Sequence, residues 1–303
     1  MCFSNPSEVT SNISPNSGSL DTNATYNAEQ QALYNTARSG AYTIVRTLST
    51  NIGQLSLQSA TSDYRAIAAE ARAQNPAAFL PKGIDPTVLA GYIAQRNLII
   101  NEFEQPDVAI GTLHWGTSDN SLIYHLKPLS RGTVNINTTD PLASPVLDYR
   151  TGTDPIDLKL YVALFRKTRQ LFAAPDMAVL GPTEASPFGS QLQTDDEIIS
   201  VLRQQINPSN AHQCCTAAMQ PRALGGVVDS QWRVYGVQGL RVGDVSYWPF
   251  HTSGAPTATM YASGERVRSY LTPYTGTRKG KLTHLIITLQ LADVIKAQYN
   301  LHP

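Results

Sequence analysis

The stretch Asn210-Ala211-His212-Gln213-Cys214-Cys215-Thr216-Ala217-Ala218-Met219 leads into Gly225-Gly226-Val227-Val228-Asp229. Val234-Tyr235-Gly236-Val237-Gln238-Gly239-Leu240-Arg241-Val242 and Gly243-Asp244-Val245-Ser246 follow. Pro249 and Ser253-Gly254-Ala255-Pro256-Thr257-Ala258-Thr259 close it. Val227-Val228 and Leu240–Val242 are short apolar runs bounded by glycines, which predicts brief strands. Gly236 and Gly239 can supply the positive φ of a connecting turn. Asp244 and Ser246 then fall at a strand end, where α/β sheets present polar groups to ligands. Residues 257–265 predict a helix, with Pro256 at its first position, where a missing N–H costs nothing.

These residues carry a resemblance. Gly225-Gly226-Val227-Val228-Asp229, then Arg233-Val234-Tyr235-Gly236-Val237-x-Gly239-Leu240-Arg241-Val242-x-Asp244-x-Ser246, is similar to the C-terminal signature of the glucose-methanol-choline (GMC) oxidoreductases. That family comprises FAD-dependent alcohol oxidases and dehydrogenases. Leu129-Ser130-Arg131-Gly132-Thr133-Val134, with Asp140-Pro141 and Pro145-Val146-Leu147-Asp148, resembles a second family segment. The resemblance implies a mixed α+β and α/β fold. In it, a substrate domain with an antiparallel sheet and helices stands beside the C-terminal part of an FAD-binding domain. It divides the chain into an extended arm over 1–25, a substrate domain over 26–206 and an FAD-domain segment over 207–265. Residues 266–303 form an atypical tail.

Composition sets the bounds. A length of 303 residues suits one large or two ordinary domains. Lys and Arg number 23 against 23 Asp and Glu, so no global field favours nucleic acid or an anionic membrane. No apolar run approaches the roughly 20 residues of a membrane span. The Met1–Pro6 segment lacks the charged and apolar regions of a signal peptide, although the family it resembles is often secreted. Three cysteines, two of them adjacent, argue against a disulfide framework and offer no metal-ligand spacing. Cys214 and Cys215 therefore read as small buried apolar groups rather than reactive thiols. Asn12-Ile13-Ser14, Asn23-Ala24-Thr25 and Asn137-Thr138-Thr139 are glycosylation sequons.

Elsewhere, local pattern predicts the elements. Residues 4–25 read as a loop or extended arm. Residues 28–37 and 62–73 predict helices, the second capped by Ser62. Residues 86–101 carry Leu89, Ile93, Ile99 and Ile100 in roughly helical spacing. Residues 122–126 and 133–137 predict strands that pair across the Pro128–Gly132 connection. Residues 156–172 show the clearest helical stripe, through Leu160, Leu164 and Leu171 with Tyr161, Phe165 and Phe172. Thr194-x-x-Glu197 predicts a capping box that opens a helix over 195–205.

No Gly-x-Gly-x-x-Gly occurs in the chain. That fingerprint lets backbone N–H groups approach a pyrophosphate at a helix N-terminus. The sequence thus looks like the C-terminal half of a GMC enzyme. FAD is the cofactor implied by the resemblance, and a small-molecule alcohol or a polyketide-type compound is the implied substrate.

In the family, a histidine takes the alcohol proton while hydride passes to the flavin, and a second His or Asn hydrogen-bonds the same oxygen. His212 matches the first position, ahead of Thr216 and Met219. A lone His is otherwise commonly structural. The second position falls on Ala255, whose methyl group neither accepts nor donates a proton. His251, four residues earlier, is a candidate substitute. His114 and His125 read as strand or loop residues. Asp244 and Val245 resemble the segment that approaches the FAD sugar-phosphate chain, and Pro256-Thr257 the backbone at the flavin pyrimidine edge. Asp244 reads equally as a turn or capping aspartate. Trp248 and Phe250 line the substrate side or belong to the core.

Three functions follow: a flavin-dependent alcohol oxidoreductase, a non-redox relative resembling the versicolorin B synthase cyclases, or a catalytically silent fragment. In the tail, Tyr261-Ala262-Ser263-Gly264-Glu265 and Leu291-Ala292-Asp293-Val294-Ile295 resemble two parts of one family element. Residues 266–290 separate them and hold Arg266, Arg268, Arg278, Lys279 and Lys281 with no acidic residue. The expectation is a helix that stops near Arg268, an exposed loop over 272–281 and a new helix near Leu282. Retained non-coding sequence or a functional basic loop would account for the break.

Overall fold

The computed structural model describes residues 3–5, 9–10, 14–16, 18–43, 51–115, 121–184, 186–209 and 211–271. The loop over 272–281 and the helix near Leu282 lie outside them. The elements run β1 (Phe3–Asn5), β2 (Val9–Thr10), α1 (Ser19–Thr22), α2 (Ala24–Ala37), β3 (Asn51–Leu55), α3 (Leu57–Ala60), α4 (Tyr64–Ala73) and α5 (Pro86–Glu102). Next come β4 (Gly111–Trp115), β5 (Ser121–His125), β6 (Thr133–Asn135), β7 (Val146–Asp148), α6 (Pro155–Phe172), β8 (Thr183–Glu184), α7 (Asp195–Gln205) and α8 (Thr257–Leu271). Among the described residues the three sheets are antiparallel. This is a mixed helix-and-sheet fold, as the sequence pattern predicts.

The chain forms two compact units. The first takes residues 1–75, 98–132 and 149–210; the second takes 76–97, 133–148 and 211–303.

The first unit is organised by α6. Pro155 sits in its first turn and the Asp154 side chain accepts from the Ile156 N–H at 3.0 Å, so the helix starts where the sequence expects. Its stripe buries Leu160, Tyr161, Leu164 and Phe165 in one core with Ile99, Ile100, Phe103, Ile123 and Phe188. Fully burying each such side chain contributes about 1.5–3 kcal/mol. The four strands of the main sheet lie in the order β1-β5-β4-β3, and Tyr161 Oη donates to the Ile123 carbonyl of β5 at 2.7 Å. α7 opens with the expected capping box between Thr194 and Glu197.

Several local expectations are corrected. β6 pairs with β7, not with β5. Both edges of β5 are already taken, by β1 and β4. The connection after it is drawn to α6 instead: Leu129 and Ser130 donate their N–H groups to the Asp157 carboxylate at 2.7 and 2.9 Å. α4 starts at Tyr64 after Asp63, so Ser62 is not its cap. Ser56 caps the short α3 just before it. Within 4–25, β1 and β2 are extended, but Ser19–Thr22 forms a helical turn. At two sequons the asparagine serves the backbone: Asn23 caps α2 and Asn137 accepts from the Thr139 N–H.

The second unit is built differently. Val227-Val228 and Leu240–Val242 do not form strands; they contribute isolated bridges, Met219 with Val228, Val228 with Val234 and Arg233 with Arg241. The runs are too short to add further ladder bonds between their glycine turns. Glycine instead permits close backbone approach. A Cβ on Gly226 would lie 1.8 Å from the Gln220 carbonyl oxygen, and one on Gly91 of α5 would lie 2.0 Å from the Leu224 carbonyl oxygen. Gly236 and Gly239 do take positive φ, 76° each. The described helix α8 reaches Leu271, three residues beyond the expected stop at Arg268.

Candidate functional site

His212 lies in an irregular loop, half-buried, just after Ala211 at φ 56°. The loop is laced to the segment that follows Asp244. Cys215 N–H donates to the Val245 carbonyl at 3.2 Å, Ala217 N–H to Ser246 at 2.8 Å and Met219 N–H to Tyr247 at 2.7 Å. Two pieces of the family-like stretch, some thirty residues apart in sequence, therefore share one ladder of backbone bonds. Asp244, exposed, begins the second piece. Its carboxylate accepts from the Ser246 N–H at 2.7 Å and caps the 3-10 turn Val245–Tyr247. The expected strand end is thus a capped turn, because Gly243 and the Asp244 side chain favour a local bond over a ladder.

The loop also brings His212 to His251. Their ring centroids are 6.1 Å apart with planes 30° from parallel. Burial holds the His212 imidazole below the usual histidine pKa, so it is neutral near pH 7. His251 is 4% exposed, and its Nδ1 lies 2.8 Å from the Thr252 carbonyl oxygen. A carbonyl only accepts, so Nδ1 carries a proton. His212 thus offers a neutral imidazole as a proton acceptor.

Ala255 is exposed, one residue before the buried Pro256. Pro256 precedes α8 and its carbonyl accepts the Met260 N–H at 2.7 Å, so it stands at the cap rather than the first helical position. Thr257 is exposed, and the first N–H groups of α8 have no partner within the helix. Donors there and the Asp244 carboxylate fit the polar edges of a flavin nucleotide; the glycine cradle for its pyrophosphate is missing from these 303 residues. Trp248 belongs to the interior: it is 5% exposed and donates from Nε1 to Ser263 Oγ on α8 at 3.1 Å. Phe250 is half-buried. A cleft of about 360 Å³ lies along residues 233–241 with Asp229, and neither His212 nor His251 lines it.

His114 and His125 sit in β4 and β5. His125 is fully buried, with Nε2 3.6 Å from the Asp157 carboxylate. Among the described residues no group of three His, Cys, Asp or Glu side chains could hold a metal ion, and no helix is long and apolar enough to cross a membrane.

The cysteines depart from expectation as well. Cys214 and Cys215 are neither reduced nor buried. They form a disulfide with Cα atoms 3.7 Å apart, and both are half-buried. Adjacent cysteines rarely bridge because a trans peptide points their side chains apart. Here Cys215 takes φ 78°, which swings its Cβ back. The sequence signal was the pair itself, directly after His212-Gln213.

Residues 128–264 match the C-terminal family of the GMC oxidoreductases. The chain is 47% identical over 256 residues to the dehydrogenase xptC of Emericella nidulans, covering 84% of this chain and 41% of that protein. It is 41% identical over 143 residues to the versicolorin B synthase stcN of the same organism, covering 47% of this chain and 22% of that protein. An FAD-dependent oxidoreductase from Chaetomium thermophilum, solved with a small-molecule fragment, superposes with a TM-score of 0.83 at 59% identity over 90% of this chain and 47% of its own. A fungal aryl-alcohol oxidase superposes at 0.78 with 35% identity, over 88% and 46%. The chain thus spans less than half the length of these relatives.

Proposed function

Because residues 128–264 make this chain a member of the GMC oxidoreductases, we propose that it supplies the substrate-side half of an FAD-dependent oxidoreductase acting on the CH–OH group of a small alcohol. The observation that carries this reading is the half-buried, neutral His212 stacked on His251. Flavin, when bound, supplies the hydride acceptor. His212 takes the hydroxyl proton, which a neutral imidazole can do near pH 7. His251, stacked beside it, is the candidate substitute for the partner missing at Ala255. The Asp244-Val245 turn and the Pro256-Thr257 edge are the segments that meet the cofactor. Residues 26–206 serve as the substrate domain and 207–265 as the closing part of the flavin domain.

A second reading is favoured by Ala255 and by the similarity to versicolorin B synthase: a cyclase on polyketide-type compounds, in which the fold is kept without hydride transfer. Anaerobic addition of benzyl alcohol to protein reconstituted with FAD and a relative's nucleotide-binding half separates the two. Bleaching of the flavin that is lost in His212→Gln supports the oxidoreductase. A flavin that binds and stays oxidised with every alcohol tried overturns it. The 303-residue chain alone binds FAD weakly, for want of the glycine cradle, and stoichiometric yellow protein from it would refute that point. Ala255→His raises alcohol oxidation more than His251→Ala lowers it.

A further inference from the structure

We infer that Cys214 and Cys215 form a thiol–disulfide exchange site whose state sets the position of His212. The reading goes beyond the proposed function and borrows from it only the importance of His212; the exchange chemistry involves no flavin. The bridge joins neighbouring residues, with Cα atoms 3.7 Å apart. Stabilisation through the unfolded chain grows with the length of the closed loop, so a bridge over the shortest loop contributes least to global stability. Its effect is local.

What it holds locally is visible in the backbone. Cys215 sits at φ 78°, a region that non-glycine residues avoid unless something over-determines it. The small ring closed by the disulfide, which contains the Cys214–Cys215 peptide bond, is that constraint. The same residue donates its N–H to Val245, the first rung of the ladder that ties the His212 loop to the Asp244 turn. Ala211, on the other side of His212, is also left-handed at φ 56°. His212 therefore lies between two strained backbone positions, one of them pinned by sulfur. Both cysteines are half-buried rather than enclosed, so a thiolate can reach them.

The exchange balances with a dithiol as the reductant. Its thiolate attacks one cysteine sulfur, the Cys214–Cys215 bond breaks, and a mixed disulfide forms. The second thiol of the reagent displaces the protein sulfur, leaving two cysteine thiols and one oxidised dithiol. Two electrons move from reagent to protein, and two protons end on the protein thiols. Cys215 is then free to return to negative φ, which loosens its bond to Val245 and releases the segment that carries His212.

The test uses the full chain, purified without reductant. Alkylation with iodoacetamide followed by peptide mass mapping should leave Cys214 and Cys215 unlabelled before dithiothreitol and labelled after it. Phenylarsine oxide, which needs two neighbouring thiols, should add to the chain only after reduction. In proton–carbon spectra of the histidine rings, the His212 signal, assigned by its loss in His212→Gln, should shift on reduction and return on reoxidation. The His125 signal should stay in place as an internal control. Free thiols at both positions in the unreduced protein would overturn the site. A His212 signal unmoved by complete reduction would overturn the link to the histidine. The double variant Cys214→Ser with Cys215→Ser should show the reduced position permanently; should it fail to fold, the reversible cycle in the native chain decides alone.

Discussion

At the start of α6 the chain satisfies its polar backbone with buried side chains, whereas around His212 it relies on glycines, turns and single backbone bonds. Asp157 is 1% exposed and accepts from the Leu129 and Ser130 N–H groups, with His125 Nε2 3.6 Å from its carboxylate. Ser130 Oγ returns the favour by accepting the Asp154 N–H at 2.9 Å, and Gln74 reaches the same Asp154 at 3.2 Å. The Leu-Ser-Arg-Gly segment is thereby a docking strap on a helix N-terminus, backed by the largest hydrophobic cluster. In the second unit the described cluster is small: Trp232 and Val267 with Met219 and Tyr247 beside them. The contrast teaches that family-like motifs of comparable clarity do different work. One fixes a core, and the other shapes a loop that carries an imidazole.

The largest effect expected from this contrast is at Asp157. Asp157→Ala strands two buried N–H donors, each at a cost of about 1–3 kcal/mol, and removes the carboxylate that faces His125. Urea unfolding of the purified variant measures it. Burial pushes the Asp157 carboxyl up, but His125, the Ser130 side chain and the Leu129 N–H outweigh it, and the net pKa lies below the ordinary 3.8. A depressed carboxyl pKa contributes stability that is full above the unfolded value and is lost as pH falls through the folded one. The wild type should therefore lose stability below about pH 4, and Asp157→Asn should flatten that part of the profile. An Asp157→Ala variant as stable as wild type would erase the distinction between the two regions.

Glycine carries the corresponding weight in the second unit. Gly226→Ala drives a methyl group into the Gln220 carbonyl, which is backbone and cannot rotate away. Overpacking of this kind costs about 1–3 kcal/mol. Gly236→Ala meets open space, so only its left-handed backbone at φ 76° is penalised, by about 1 kcal/mol. Thermal melts of the pair rank them. Equal losses would mean that close approach at Gly226 is not what the Gly-Gly pair provides.

These two glycines also mark how far the sequence could be read. Gly236 announced a turn, and the turn is there. Gly226 announced a strand boundary, but its use is contact with a residue that only the folded chain brings near. The same divide runs through the rest. α6, α7 and the Thr194 capping box follow from spacing and local chemistry within one helix length. The partner of β6 does not, because it depends on which strand edges other segments have already filled. At the site, His212 was legible through the motif around it. Its stacking on His251 was not, since it depends on a ladder between residues 215–219 and 245–247 that has no local signature. The disulfide departs from the sequence expectation because the rule for neighbouring cysteines assumes ordinary negative φ, and Cys215 has φ 78°.

The smallest effect is expected at Asp244, where the two readings of one residue can be separated. Its carboxylate caps a single 3-10 turn, bonds to Ser246 N–H and is exposed. Losing a cap costs typically about 1 kcal/mol in an α-helix, and a three-residue turn with its last carbonyls in solvent should fall at or below that. Asp244→Ala should therefore lower the melting temperature slightly, while Asp244→Ser, which can still accept from Ser246, should restore it. If capping is all that Asp244 does, flavin affinity in the reconstituted protein follows the same order, with Ser equal to Asp. If the carboxylate also meets the cofactor, Ser recovers stability but not flavin affinity, because a hydroxyl lacks the second oxygen and the charge. Fluorescence titration of FAD beside the melting curves reads both quantities on the same samples. A Ser variant that regains both would assign Asp244 to the loop alone and leave the cofactor edge to Pro256-Thr257.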